Sequence, residues 1–304
     1  MSSRREFDFI EAIRQSQRRD PRVPVGIGDD TAVLLGGAKD WLATVDMLVE
    51  GVHFDRTTMT PRQIGRKAMG VNLSDIAAMA GEPVAALVAI ALPRGSEASL
   101  GEELLDGMRT LGDEFNTTII GGDTNRSTGG IVVSVTLLGH PTGRGPLLRS
   151  GAKEGDVLCV TGTLGYSLAR HHWDFTPRVA EAKQLHADYE IHAMMDLSDG
   201  LASDIFHLAH ESHAGFVIHA DTIPVPKPTV DDGRSLLDHA LNDGEDFELL
   251  FTLPKSEAER LIQSQPLGVP VTAIGEVIAE SGVVLVTADG KREPLRPGGY
   301  VHEW

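Results

Sequence analysis

The stretch TPRQIGRKAMGVNLSDIAAM, Thr60 to Met79, predicts a long helix with a defined start. Thr60 is a suitable N-cap, Pro61 fits the first helical position, and Gln63 completes a capping box. Apolar residues then recur from Ile64 at spacings of three and four, the period of one buried helix face. The apolar run VAALVAIALP, which starts at Val84, predicts a strand directly after the helix. This segment therefore predicts helices that pack on a sheet.

The same two patterns alternate along all 304 residues and predict a mixed α/β fold. The helix that begins after Thr60 is predicted over residues 61–80. Further helices are predicted near residues 5–18, 97–115, 163–171, 178–190, 200–213 and 255–265. Strands are predicted near 41–46, 84–92, 117–121, 131–139, 157–161, 215–220, 247–253, 271–278 and 283–287. A stretch rich in Gly and Pro, Gly139 to Asp156, predicts a boundary between two domains, residues 1–149 and 150–304.

Composition and charge exclude several classes of protein. A net charge of −17 without a basic cluster argues against a nucleic-acid surface. The single thiol, Cys159, excludes a disulfide framework and a cysteine zinc site. The N-terminal MSSRREFDF has no apolar signal core, and the longest apolar run is shorter than the roughly 20 residues of a bilayer span. We therefore expect a cytoplasmic protein that binds neither nucleic acid nor membrane.

One aspartate falls on the buried face of the helix predicted over residues 61–80. Ile64, Ala68, Val71 and Asp75 follow one another at helical spacing. A buried carboxylate has to be paired, hydrogen-bonded or bound to a metal, because an isolated buried charge costs several kcal/mol, by rough estimate. An ion pair with Lys or Arg and a metal site are both open for Asp75.

Other aspartates occupy comparable places. Asp46 ends the predicted strand WLATVD, and Asp123 follows TTIIGG, whose glycines let backbone N–H groups approach an anion. Asp196 and Asp199 flank Ser198 before a helix, where Asp199 is alternatively an N-cap. In GIGDDTAVL, Gly26 to Leu34, successive side chains face opposite ways, so either Asp29 or Asp30 points to such a site. By analogy with open sheets, we expect these carboxylates to gather at strand ends.

Converging aspartates imply a cation. Two unit charges 4 Å apart repel by about 4 kcal/mol at an effective dielectric near 20. Aspartate oxygens near a hydroxyl such as that of Thr44 suit Mg²⁺, whose shell substrate phosphates commonly complete. The sequence has no GxxxxGK[ST] loop and no protein-kinase motif, so a polyphosphate site here is of another kind. Arg149 is either a phosphate ligand or a solvated linker residue.

Seven motifs in order resemble the thiamine-monophosphate kinase family of the aminoimidazole ribonucleotide synthetase superfamily. They are GIGDDTAVL, ATVDMLVEGVHF, KAMGVNLSDIAAMAG, IIGGDTNR, LRSGAKEGDVLCVTGTLG, MMDLSDGLASD and GEDFELLFTLP. The resemblance implies two α/β domains, the first closing a strand barrel across a homodimer. It also implies ATP-dependent phosphorylation of thiamine monophosphate to thiamine diphosphate, the last step of thiamine diphosphate biosynthesis. Several Mg²⁺ ions would assist this transfer without a covalent intermediate or a catalytic base.

The resemblance also implies site residues. The positions that match the family's magnesium ligands are Asp30, Thr44, the Val45 backbone, Asp46, Asp75, Asp123, Asp196 and Asp199. Those that match ATP contacts are Asp30, Gly122, Arg149, Ser198 and Leu105, and those that match thiamine monophosphate contacts are His53, Glu245 and Tyr300. Glu245 is expected to face the cationic thiazolium, with Tyr300 as a stacking face. Two positions depart from the family: Val45 stands where Ser or Thr is usual, and Leu105 where an aromatic residue lies near the adenine.

Three alternatives remain open. A selenophosphate synthetase carries a reactive Cys or selenocysteine near its N-terminus, whereas Cys159 lies in a central strand. Aminoimidazole ribonucleotide synthetase itself would lack VEGVHF and GEDFELLF in this form. A non-catalytic sensor of magnesium and thiamine phosphates would bind the same ligands without releasing ADP.

Overall fold

The structure, a computed structural model, describes residues 10, 11, 13–15, 20–228 and 231–300. Its first sheet has five strands in the order β1-β2-β5-β3-β4, of which β3 and β4 are parallel and the other neighbours antiparallel. The strands are β1 (Ala32–Leu34), β2 (Trp41–Val49), β3 (Gly81–Pro93), β4 (Thr118–Ser127) and β5 (Val132–Pro141). Helices α1 (Pro61–Ala78) and α2 (Ala98–Glu114) belong to the same part of the chain, and their apolar side chains share one core with this sheet.

Among the residues that the structure describes, the second sheet has seven strands in the order β12-β11-β8-β10-β6-β9-β7, and only β11 and β8 run parallel. They are β6 (Val157–Thr161), β7 (Ala193–Asp196), β8 (Gly215–His219), β9 (Leu249–Leu253), β10 (Val271–Ile278), β11 (Val283–Val286) and β12 (Arg292–Pro294). The accompanying helices are α3 (Ser167–Arg170), α4 (Val179–Asp188), α5 (Leu201–Ser212), α6 (Leu236–Asn242), α7 (Lys255–Ser264) and a 3₁₀ turn at Ala220–Thr222.

Helix α1 begins as the sequence predicts. Thr60 Oγ1 accepts a hydrogen bond from the Gln63 backbone N–H at 3.3 Å, and Gln63 Oε1 accepts one from the Thr60 N–H at 2.8 Å. Pro61 occupies the first turn, where a missing N–H costs nothing. These contacts satisfy donors that would otherwise be unpaired at the helix start.

A reciprocal pair of glycines brings α1 and α2 into backbone contact. A Cβ added to Gly65 of α1 would lie 2.0 Å from the carbonyl oxygen of Leu104, and one added to Gly107 of α2 would lie 2.0 Å from that of Arg62. No side chain fits at either position without moving a backbone. The crossing of the two helices is therefore fixed by main chain rather than by adjustable side chains.

The mixed α/β prediction is confirmed, with differences in detail. The predicted helix 5–18 lies largely outside the described residues, although residues 10, 11 and 13–15 are helical. Helix 163–171 is only Ser167–Arg170, and α6, β7 and β12 were not predicted. The two sheets are separated by residues 142–156, which overlap the predicted boundary, and the division into 1–149 and 150–304 stays a prediction.

Within the part of the chain described, no helix is long and apolar enough to cross a membrane.

The five-stranded sheet is open, with one face turned away from α1 and α2. Four large apolar side chains on it are 42–61% exposed: Val45, Met47, Leu87 and Ile120. The barrel across a homodimer stays a prediction.

Candidate active site

Three carboxylates from separate parts of the chain converge. Asp30 precedes β1, Asp75 lies in the last turn of α1, and Asp196 ends β7. One oxygen of each lies within 4.8 Å of the others. Asp30 and Asp196 are buried, and Asp75 is half-buried. We call these three residues the carboxylate cluster; three hard oxygen donors at this separation fit Mg²⁺ in ligand type and spacing.

Polar side chains of α1 and β2 orient the carboxylate cluster. Ser74 Oγ donates a hydrogen bond to Asp196 Oδ2, and Thr44 Oγ1 donates one to Asp75 Oδ2. Asn72 Oδ1 accepts a hydrogen bond from the Asp46 backbone N–H at 3.1 Å. The last turns of α1 therefore hold β2 and β7 in place around the cluster.

Burial, and after it the charges of neighbouring carboxylates, raises the pKa values of three aspartates at this site. Burial raises the pKa of Asp196 to about 8, and the charge of Asp30 adds to the effect. Burial likewise raises the pKa of Asp46 to about 6. The pKa of Asp75 is raised well above its ordinary value by burial and then by the charges of Asp46, Asp196 and Asp30. The cluster is therefore a site of concentrated negative potential that a cation would relieve.

One arginine already faces the cluster. Arg149 Nη2 lies 2.7 Å from Asp30 Oδ1, and its Nε lies 3.0 Å from Asp30 Oδ2, which makes a bidentate pair. Burial lowers the pKa of Arg149, but its contacts with Asp30 outweigh that effect and raise it. The interpretation of Arg149 as a solvated linker residue is wrong.

Asp29 has a different role from Asp30. Its Oδ1 accepts backbone N–H groups from Arg149 at 3.1 Å and from Asp30 at 3.3 Å. Burial, with the charge of Asp30, raises the pKa of Asp29 to about 7. Of the two adjacent aspartates, Asp30 is the one that joins the cluster, while Asp29 fastens the Arg149 segment to the GIGDD turn.

The expectation that Asp46 and Asp123 end strands is wrong. β2 continues to Val49 and β4 to Ser127, so both aspartates lie within a strand. Asp46 points to the helix side of β2, in the same alternation as Leu42 and Leu48, and its charge interacts with Asp75. Asp123 is exposed on β4 and is not among the three carboxylates that converge. Both strands can continue through an aspartate. Beside β2, α1 supplies a hydrogen-bonding partner, Asn72, for the Asp46 backbone, and on β4 the Asp123 side chain is exposed to solvent.

The structure places three other predicted site residues in surroundings that the sequence did not indicate. The Val45 side chain is 61% exposed on the open face, so only its backbone could join Thr44 and Asp46. A Cβ on Gly122 would lie 1.8 Å from the Val88 carbonyl oxygen, so pairing of β3 with β4 itself requires this glycine. Leu105 is partly buried against the first core.

The three residues predicted to contact thiamine monophosphate line one cavity. His53, Glu245 and Tyr300 surround about 170 Å³ of space, which we call the ring pocket, together with Ser198 and Asp199. Its remaining walls are largely apolar, among them Met47, Val52, Val71 and Phe247. Val49 donates its backbone N–H to His53 Nδ1 at 3.0 Å, which fixes the ring's orientation.

Sequence reasoning missed Lys67, which lies behind the ring pocket. Its side chain is fully buried, and its Nζ donates to Glu245 Oε1 at 2.7 Å and to the carbonyl oxygen of His53 at 2.6 Å. The sequence spacing indicates the burial of Lys67, since this residue stands three residues after Ile64 and four before Val71 on the apolar face of α1. His172 Nδ1, just past α3, lies 3.3 Å from Glu245 Oε2.

Asp204 was also missed and shapes the loop between the cluster and the ring pocket. Its buried Oδ2 accepts backbone N–H groups from Ser198, Asp199 and Gly200 at 3.0–3.2 Å. Burial and the charges of Asp199 and Asp196 raise its pKa well above the ordinary value. The alternative of Asp199 as an N-cap is wrong, because Gly200 is the N-cap residue of α5.

The loop that carries Glu245 has an unusual backbone. Glu245 and Phe247 have φ values of 55° and 50°, a left-handed conformation that costs non-glycine residues roughly 1–2 kcal/mol each. Glu245 donates its N–H to the Ser198 carbonyl oxygen at 2.6 Å, and Phe247 donates to that of Leu197 at 2.8 Å. These bonds hold the strained loop against residues 197–198.

Family models match both halves of the chain. Residues 28–140 match the model of the N-terminal domain of AIR synthase related protein, and residues 153–287 match the model of its C-terminal domain. Together the two matches cover well over half of the chain, and each contains one of the two sheets almost entirely.

Individual relatives match over nearly the full length. Thiamine-monophosphate kinase of Rhodopirellula baltica is 37% identical over 314 residues, which cover 98% of this chain and 97% of the relative. The solved structure of AaThiL complexed with AMPPCP and TMP is 32% identical and superposes with a TM-score of 0.80, covering 98% and 96% of the two chains. Thiamine-monophosphate kinase from Stenotrophomonas maltophilia K279a is 34% identical with a TM-score of 0.72, covering 93% and 95%.

Proposed function

The chain belongs to the thiamine-monophosphate kinases among the AIR synthase related proteins, and from this premise we propose that it phosphorylates thiamine monophosphate with ATP. The γ-phosphoryl group would pass directly, nearly in line, to the acceptor phosphate and give thiamine diphosphate and ADP. One observation carries the proposal: a single short loop joins Asp196 of the carboxylate cluster to Ser198 and Asp199 of the ring pocket.

The carboxylate cluster would hold Mg²⁺. Asp30, Asp75 and Asp196 supply converging oxygens, and the raised pKa values of Asp75 and Asp196 fit a site that a cation completes. Bound Mg²⁺ supplies charge neutralisation for phosphate oxygens. We propose the remaining predicted ligands as further contributors: Thr44, the Val45 backbone, Asp46, Asp123 and Asp199.

The protein's own residues would position the reactants. The acceptor is a phosphate monoester that is already anionic at neutral pH, so it needs no general base to become a nucleophile. Repulsion between two anionic groups is the obstacle, and Arg149, which pairs with Asp30 at the carboxylate cluster, would supply positive charge there. We propose that Arg149, Ser198, Gly122 and Leu105 contact ATP. The ring pocket would hold the organic part of thiamine monophosphate.

A second copy of the chain is the proposed cover for the open sheet face. Val45, Met47, Leu87 and Ile120 expose large apolar side chains there, and within the described residues β4 is an edge strand of this sheet. Met47 also lines the ring pocket, so a homodimer through this face would adjoin the substrate. Light scattering should give the mass of a dimer, and Ile120→Asp should shift it toward the monomer; an unchanged mass for the variant would contradict this face.

The remaining assignments follow the chemistry. We propose that the reaction takes place in the cytoplasm, where ATP is available and the buried thiol Cys159 stays reduced. We also propose that residues 1–149 carry most of the metal and ATP contacts and the dimer face, and that residues 150–304 complete the site with Asp196, Ser198 and Glu245.

The direct test is a turnover assay with several acceptors. Purified protein is incubated with MgATP and thiamine monophosphate, and thiamine diphosphate and ADP are quantified by chromatography. Equimolar formation of both products supports the proposal. No thiamine diphosphate at enzyme concentrations equal to the substrate would contradict it. Turnover of formylglycinamidine ribonucleotide would indicate the synthetase alternative, and ligand binding without ADP would indicate the sensor.

A further inference from the structure

Lys67 makes all its described polar contacts at the ring pocket. The ammonium lies within 2.7–2.8 Å of both Glu245 oxygens, 2.6 Å from the carbonyl oxygen of His53 and 3.2 Å from His172 Nδ1. Its side chain has no solvent exposure. Because a buried ammonium is stable only where its charge and its donors are matched, this arrangement depends on Glu245.

These contacts reach two of the three residues predicted to bind the substrate. Lys67 fixes the carboxylate of Glu245, whose backbone is in the left-handed conformation, and it also fixes the backbone of His53. Since Lys67 belongs to α1, it ties the first sheet's helix layer to the Glu245 loop before β9. The side chain itself is behind the pocket wall and out of reach of a ligand.

The same contacts change the electrostatic character of Glu245. From the sequence, Glu245 was expected to act as a counter-ion for the thiazolium cation. In the structure its two oxygens already face a cation, and His172 stands beside them. Glu245 therefore belongs to a compensated ion pair that presents oriented acceptor oxygens, and the rest of the lining combines apolar side chains with polar ones, among them the carboxylates of Asp199 and Asp243.

We propose that Lys67 is a positioning residue for substrate recognition: it acts through Glu245, holding that carboxylate oriented and charge-compensated in the ring pocket. This inference rests on the proposed function, because the ring pocket is assigned to thiamine monophosphate there. It adds a specificity-determining residue that contacts no substrate. Glu245 then contributes to selection of the heteroaromatic part of the substrate by its position and its hydrogen bonds rather than by an unpaired negative charge.

A purely architectural role for Lys67 predicts something different. If the ion pair only joined α1 to the Glu245 loop, its loss would lower stability and would disturb the ATP and thiamine monophosphate sites alike. Action through Glu245 predicts a selective loss of thiamine monophosphate recognition that disappears once Glu245 is itself neutral.

A double-mutant cycle separates these roles. Lys67→Met, Glu245→Gln and the double variant are compared with wild type for the KM of thiamine monophosphate, the KM of ATP and the melting temperature. We expect Lys67→Met to raise the KM of thiamine monophosphate by about 10-fold or more, with the KM of ATP within about 3-fold of wild type. In the Glu245→Gln background the added Lys67→Met change should alter the KM of thiamine monophosphate by less than about 3-fold.

The outcomes are decisive even if one variant is unstable. Should Lys67→Met alone fail to fold, the double variant, which has no unpaired charge, still allows comparison with Glu245→Gln. Multiplying effects in the double variant, or an equal rise in the KM of ATP, would overturn the inference. Lys183→Met is the matched control, because Lys183 pairs with Glu82 at 3.4 Å on the exposed surface. If wild-type protein makes no thiamine diphosphate, the proposed function fails instead, before the cycle begins.

Discussion

Helix α1 contributes to two charged centres whose charge balance differs. At the carboxylate cluster, Asp30, Asp75 and Asp196 meet with Asp46 close by, and the cation paired there is Arg149. At the ring pocket, one lysine faces one glutamate, with His172 beside them. The first centre has more carboxylates than cations, whereas the second pairs one carboxylate with one lysine ammonium.

This difference indicates what each centre accepts. Excess carboxylate in a buried place raises pKa values and leaves free energy that a bound cation can recover. A compensated pair offers no such gain, so it orients a ligand by its geometry. The ionised groups of one helix thus serve two purposes, according to how many opposite charges the neighbouring elements supply.

The largest effect is expected from breaking the carboxylate cluster. Asp75→Asn keeps the size of the side chain but removes one cation ligand, and we expect kcat to fall by about 10²–10³-fold or more at saturating Mg²⁺. The fold should persist, because the change relieves repulsion in the metal-free protein. Steady-state kinetics and circular dichroism measure both. Asp113→Asn, an exposed carboxylate of α2, is the control and should keep wild-type turnover.

A change in the scaffold shared by the two centres should affect both. Gly65→Ala places a Cβ 2.0 Å from the Leu104 carbonyl oxygen, and such overpacking costs about 1–3 kcal/mol of unfolding free energy. Since α1 must shift, we expect the Mg²⁺ requirement and the KM of thiamine monophosphate to rise together. Urea denaturation and kinetics test this; a change confined to one centre would show that they are positioned independently.

The pH dependence of the unfolding free energy should show the excess of buried carboxylate at the first centre. Unfolded aspartates titrate near 4, whereas the folded pKa values are about 6 for Asp46 and about 8 for Asp196. The folded state therefore binds more protons. In the presence of a chelator, the stabilisation is complete below about pH 4 and is lost as pH rises through about 6 and about 8.

Added Mg²⁺ should reduce or abolish this loss by binding the ionised carboxylates. Denaturant midpoints measured across this pH range, with and without Mg²⁺, provide the test. A metal-free protein whose stability increases steadily over the same range would contradict the assignment of an excess of buried carboxylate.

The smallest effect is expected from an exposed pair. Glu82 and Lys183 are about half-exposed at 3.4 Å, so Glu82→Gln should change the unfolding free energy by no more than about 0.5 kcal/mol. Turnover should equal that of wild type. A larger loss in thermal unfolding would indicate that ion pairs outside the two centres also fix the helices.

Local patterns predicted those parts of the fold that local physics determines. The start of α1 follows from Thr60, Pro61 and Gln63, because capping involves neighbours in sequence. The three-residue strands β1 and β12 are too short to show periodicity, and they exist because longer strands pair with them. The extension of β2 past Asp46 was missed because the polar residue finds its environment in α1, far away in sequence.

The candidate site was predictable where a residue type was conspicuous. The adjacent aspartates after Gly28 and the aspartate on the apolar helix face both indicated a site in the sequence. The structure brings Asp30, Asp75 and Asp196 together. Lys67 was overlooked because a lysine on a helix is usually solvated, and only the fold shows that Glu245 meets it. Asp204 was overlooked because its contribution is three bonds to backbone groups, which leave no trace in side-chain pattern.

The reciprocal contact of Gly65 and Gly107 has a consequence for substrate length. Lys67 and Asp75 are eight residues apart on one helix, or about 12 Å along its axis. Backbone hydrogen bonds set that interval, and the glycine crossing prevents the helix from sliding to change it. Side-chain substitutions can therefore alter what binds at either end, but only an insertion or deletion within α1 could adapt the enzyme to a longer or shorter molecule.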